Sequence, residues 1–226
     1  MPNNTTGQPS GNPWLSIWTS PRATIAEIVR TNPSYCFLLL CFIYGFASAL
    51  SSAQRISLGL TTSPWVILAV SAVLGFLLGF VSLTVFSFLV SWTGKWCGGK
   101  GSYKEVRAVV AWSNVPVVVD LLLWALLLAI YGGLVFTQDF AQVVYFQSAE
   151  GSMLLFPEPR LLVVFGIVRV IVSIWSIVIF LAGLREVQGF SLFKAILNAL
   201  LSMFVVIVAV FLMFMTVWGI QGFVQK

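Results

Sequence analysis

The chain has 226 residues, 59% of them hydrophobic and 8% charged, with a formal net charge of +5. A soluble domain carries about 25% charged residues, so this composition excludes a soluble globular protein, and its apolar content equally excludes a disordered chain. The lack of histidine removes histidine acid–base catalysis and most zinc or iron sites, and nothing in the chain implies a cofactor.

Residues 1–13 are polar, uncharged and rich in Gly and Pro, and are expected to form a flexible tail. Residues 14–32 read as an amphipathic helix lying in the membrane interface. Trp14 and Trp18 are four apart and share a face suited to headgroup level. Ser20 and Pro21 supply a cap and a first-turn proline. Ile25, Ile28 and Val29 fall on one side, Arg22 and Arg30 mainly elsewhere, and Asn32-Pro33 stops the helix. Such a helix anchors and orients the first span, or docks a partner.

Residues 33–226 form the membrane domain. Five apolar stretches, at about 34–53, 64–92, 108–136, 161–184 and 195–218, are each long enough to cross roughly 30 Å of hydrocarbon. Runs of this length do not alternate as barrel strands do. The fold class is therefore all-α, a polytopic bundle of five transmembrane helices with an N-terminal interfacial helix. The small residues Ala47-Ser48-Ala49 and Ser51-Ser52-Ala53 also resemble a signal-peptidase site, although the stretch is long for a cleaved signal.

Ser71, Gly75, Gly79 and Ser82 form a stripe of small residues on the second span, where helix backbones can approach closely, within the chain or with a second copy. The loop after it carries Lys95 and Lys100, followed by Lys104 and Arg107. Its Gly98-Gly99-Lys100-Gly101 lacks the spacing and the preceding strand of a phosphate-binding loop. It reads instead as a basic connector near anionic headgroups. Ser102 and Glu105 are spaced as a capping box, and Gly189-Phe190-Ser191 before Lys194-Ala195 repeats that grammar faintly.

Pro116, preceded by Trp112, Ser113, Asn114 and Val115, should kink the third span, with Asn114, serines or water satisfying freed carbonyls. Two ionisable residues fall inside spans, Asp120 in the third and Arg169 in the fourth. A charge near the bilayer centre costs at least ~2.5–3.5 kcal/mol, so each needs a partner. Counted from Arg107 and Arg185, they lie about 20 and 24 Å deep at 1.5 Å per residue, within reach of one another. Two readings stand: a buried ion pair that fixes helix order, or a polar centre handling protons, ions or headgroups.

Eight Lys and Arg fall on one side of the spans: Arg22, Arg30, Lys95, Lys100, Lys104, Arg107, Arg185 and Lys194. Arg55, Arg160 and Lys226 fall on the other, whose long loop also holds Asp139, Glu150 and Glu158. The imbalance predicts a cytoplasmic N-terminus and an extracytoplasmic C-terminus. No basic run of the kind that binds nucleic acid is present.

The chain carries Asn12-Pro13-Trp14 and Ser20-Pro21-Arg22-Ala23-Thr24-Ile25 before the first span and Gly101-Ser102-Tyr103 before the third. It also has Trp112 four residues before Pro116, and Gly189-Phe190-Ser191 with Lys194-Ala195 before the fifth. With these segments it resembles the Yip family (Ypt/Rab-interacting-protein membrane family) in its bacterial form. The resemblance implies five spans and a cytosolic N-terminus. Eukaryotic members are associated with vesicle traffic and small GTPases. The acidic Asp-Leu-Tyr-Gly-Pro element of those members is missing here, and Ala111-Trp112 stand where their Gly-Tyr would align. The resemblance therefore does not carry GTPase binding over to this chain. The short N-terminal segment points to a prokaryotic plasma (inner) membrane. Two functions are expected: a non-enzymatic protein that organises the membrane or recruits partners, or a small transporter, channel or lipid-handling protein using Asp120 and Arg169.

Overall fold

The computed structural model describes residues 11–138, 140 and 159–224, with side chains to residue 138, at 140 and from 163 to 216. Residues 1–10 of the expected tail, the acidic residues Asp139, Glu150 and Glu158, the Arg160 side chain and Lys226 lie outside the described residues. Eight α-helices are described and no strand. In chain order they are α1 (Pro13–Thr19), α2 (Pro21–Thr31), α3 (Phe37–Arg55), α4 (Pro64–Trp96), α5 (Tyr103–Trp112), α6 (Val117–Tyr131), α7 (Pro159–Gln188) and α8 (Leu192–Val224). Five segments are long and apolar enough to cross a membrane: α3, α4, α5 with α6, α7 and α8.

The interfacial segment differs from the single helix expected. Asn12 and Pro13 belong to the start of α1, where the Asn12 side chain accepts from Trp14 N at 3.1 Å. The chain then breaks at Ser20, whose backbone is pushed out of the helical region by the proline that follows. Ser20 makes no side-chain cap bond; Thr24 Oγ1 instead donates to Ser20 O and Ser16 Oγ, tying the two helices together. Nor does the apolar face point into lipid. Ile17, Ile25 and Ile28 are buried in the bundle, where α2 packs on α5 and α7.

The third span goes further than the kink expected at Pro116 and divides into two helices, α5 and α6. Pro116 has no N–H to donate, and the chain passes through Ser113–Pro116 in tight i→i−3 turns, Asn114 N to Ala111 O and Val115 N to Trp112 O. The Val110 carbonyl, which loses its helical donor, accepts from both Ser113 Oγ (2.8 Å) and Asn114 Nδ2 (2.7 Å). The ten residues of α5 cover only about 15 Å, so the span is completed by α6. A 3-10 segment, Gly132–Phe136, follows.

α3 and α4 meet backbone to backbone. A Cβ on Gly45 would overlap the Gly75 carbonyl, and one on Gly75 would come within 2.7 Å of Gly45 O. Gly79 closes the seam, its would-be Cβ 2.8 Å from Gly45 Cα. Away from such seams α4, α7 and α8 present Leu, Ile, Val, Phe and Met outward along most of their length.

Two apolar clusters fill the interior. One joins Ile17, Ile25, Leu40, Val109, Trp112 and Ile179 at the end where α2 docks. The other joins Leu50, Ile67, Trp124, Tyr131 and Phe136 toward the opposite end. On α7, Phe165 packs against the second cluster and Trp175 against the first. Arg169 lies between them.

Candidate functional site

The break at Pro116 sets the position of Asp120. Because α6 begins anew at Val117, Asp120 falls in its first turn, where the helix dipole favours a negative charge. On α7, Arg169, Ser173 and Ser176 recur at helical spacing and present one face. About ten residues, or roughly 15 Å, separate Arg169 from the start of α7 at Pro159.

The structure brings Arg169 Nε to 2.6 Å from Asp120 Oδ1. The contact is an ion pair by distance without the angles of a hydrogen bond. Arg169 Nη2, Asp120 Oδ1, Trp124 Nε1 and Ser176 Oγ are buried with no hydrogen-bond partner among the described residues. Trp124 stands one turn beyond Asp120, and the Arg169 guanidinium carbon lies 4.9 Å from the centroid of its ring. A partly exposed cation–π contact of this kind contributes on the order of 1 kcal/mol.

The pair is not sealed in protein. The Arg169 and Asp120 side chains keep 34% and 20% of their surface. They line a chamber of about 400 Å³ together with Ser51, Asn114, Ser173 and Ser176. The Pro116 break thus supplies both the turn that starts α6 and, through Asn114, part of the chamber wall.

The aromatic and basic residues singled out in the sequence gather at the α2 end. Trp14 packs on Trp112 with ring centroids 5.3 Å apart, and Trp112 Nε1 donates to Tyr35 O at 3.3 Å. Trp18 is half-buried against the same cluster. Arg22 is held by Glu186 of α7 at 2.5 Å, while Arg30 is exposed. Lys95, Lys100 and Lys104 are exposed. Arg107 is not a free loop cation: it donates to Ser34 Oγ at 2.8 Å and lies over the Phe37 ring at 4.5 Å. Ser102 and Glu105 form the reciprocal capping box that starts α5. Gly75 and Gly79 face Gly45 within the chain.

A second polar group was not foreseen. Thr93 of α4 is within 2.7 Å of both Asn198 Oδ1 and Ser202 Oγ of α8, all three buried. Gln188 beside them accepts from Gly101 N at 3.1 Å and so holds the glycine loop against the end of α7. Their signal in the sequence is an uncharged amide or hydroxyl within a long apolar run, which a search for charges passes over.

The Yip1 domain family matches residues 15–214, nearly the whole described chain. The chain belongs to the Yip1 family. Its match starts within α1 and ends within α8, so four of the apolar segments and most of the fifth lie inside the Yip1 domain, along with Asp120 and Arg169. No curated protein and no solved structure shows a significant match to this Yip1 chain.

Proposed function

We propose that this Yip1 protein is a non-enzymatic integral membrane protein that organises the bilayer or recruits partners at the end where α1 and α2 dock. On this reading that end is cytoplasmic and the membrane is a plasma (inner) membrane. The supporting observation is that Ile17, Ile25 and Ile28 fix α1 and α2 onto the bundle, leaving Arg30, Lys95, Lys100 and Lys104 on its outer surface beside the Arg22–Glu186 pair. A docked platform with exposed cations attracts anionic headgroups at about 1 kcal/mol per residue near the surface. In native membranes, lysine-reactive crosslinking should join Lys95, Lys100 or Lys104 to another polypeptide, and Arg22→Glu with Arg30→Glu should weaken those products. Crosslinks confined to one chain would count against recruitment.

A second reading, lipid handling or transport, is favoured by one observation: the Asp120–Arg169 pair borders a chamber rather than closed packing. Flux in proteoliposomes that Asp120→Asn abolishes, with the fold intact, would displace the first reading.

A further inference from the structure

The chamber beside Asp120 and Arg169 has a neighbour. A second chamber of about 480 Å³ lies between α4, α5, α7 and α8, lined mainly by apolar side chains such as Phe86, Phe180 and Met203. Asn114, Ser176 and Ile177 line both, so these three residues stand between the polar and the apolar space. Each space is of the size that holds a small-molecule ligand, and a mostly apolar wall with a few convergent polar groups is the usual build of such sites. Ile177, Leu200 and Met203 are each more than half exposed on the outer face of the bundle, so the apolar chamber borders the lipid-facing side.

The polar chamber also specifies a head. Arginine offers five donors and a carboxylate only acceptors, and here one close contact between them uses little of that capacity. Buried groups left this way need partners. The pair is formally neutral, so an anionic head would place an uncompensated charge at this depth, a costly outcome in hydrocarbon. A head that is uncharged, with a hydroxyl to donate to Asp120 and carbonyl oxygens to accept from Arg169 and Ser176, meets both signs of unmet capacity.

We propose that the two chambers form one site for an uncharged acylglycerol-type lipid, its hydroxyl and ester carbonyls at Asp120, Arg169 and Ser176 and an acyl chain between α7 and α8. This rests on the lipid-handling reading above and adds to it the class of lipid and the place of its chain.

The test uses the full chain in phosphatidylcholine nanodiscs with a diacylglycerol bearing a diazirine on one acyl chain. Photolabelling should concentrate on Phe180, Leu181 and Met203. By mass action an excess of about tenfold of unlabelled diacylglycerol should reduce it about tenfold, whereas phosphatidic acid with the same chains should leave it unchanged. Ser176→Phe, which fills the junction, should abolish labelling at Met203; the label map and the competition in the unaltered chain decide the matter should that variant not fold. Competition by phosphatidic acid as strong as by diacylglycerol overturns the uncharged head. Label spread over α4, α7 and α8 in proportion to exposure overturns the site. Lipid flux in matched proteoliposomes then separates the two ideas: diffuse label with Asp120-dependent flux removes this site alone, and diffuse label without flux removes the lipid-handling reading as well.

Discussion

Asp120→Asn would leave the Arg169 guanidinium inside the bundle with no anion 2.6 Å away. Breaking one side of a buried pair costs about 3–5 kcal/mol, and partial exposure puts this case at the lower end. Thermal unfolding in detergent should therefore shift down by several degrees, and the exchange Asp120→Arg with Arg169→Asp should recover part of the loss. Unchanged unfolding in both variants would show that the pair holds nothing together. Gly45→Leu should cost more than a single overpacked methylene, ~1–3 kcal/mol or above, because the intruding atoms meet the fixed Gly75 carbonyl and not a mobile side chain. The same unfolding measurement checks it. These sites differ in how far residue types disclose them. Asp120 and Arg169 stand out because charges are rare in apolar runs, and similar depth on neighbouring spans links them. Gly75 and Gly79 are visible as a stripe, but their partner Gly45 is a single glycine in its span and acquires its meaning from the crossing of α3 and α4. Thr93, Asn198 and Ser202 are a common residue type each, and only proximity makes them a cluster.

Among the elements, α2 and the third span show where local rules prevail and where tertiary packing does. The 3.6-residue spacing of Ile25, Ile28 and Val29 identifies an amphipathic helix but not what covers its apolar side, since lipid and protein accept the same stripe. Here protein covers it, with Val109 and Ile179 in the same cluster. Ile25→Ala with Ile28→Ala should therefore detach α2, each truncation costing about 2–5 kcal/mol if the site cannot collapse. Trypsin should then cut after Arg22 and Arg30 markedly faster than in the unaltered chain; equal rates would mean that the docking is unimportant. The third span makes the opposite point. Pro116 signals a disturbance in any apolar helix, yet whether it bends or divides the helix depends on Ser113 and Asn114, whose side chains stabilise the divided form by taking up the Val110 carbonyl.

Across the whole molecule, the five apolar segments were legible from length and hydropathy alone, because a bilayer imposes one dimension on every crossing. The charge imbalance predicts which end is which. In a chain with Cys36, Cys41 and Cys97 replaced by alanine, a cysteine at Ser102 should react with a membrane-impermeant maleimide only from the cytoplasmic side, and one at Gln147 only from outside; the reverse pattern would invert the topology. The glycine seam carries a mechanical consequence. Where Gly45 meets Gly75 and Gly79 there is no room for a side chain, so α3 and α4 cannot be pressed closer or slid past one another there without backbone collision, and the crossing is stiff. Widening is expected instead at α7 and α8, the two spans with the smallest buried share among the described residues. A spin label on each should report widening between that pair while the distance across α3 and α4 stays constant.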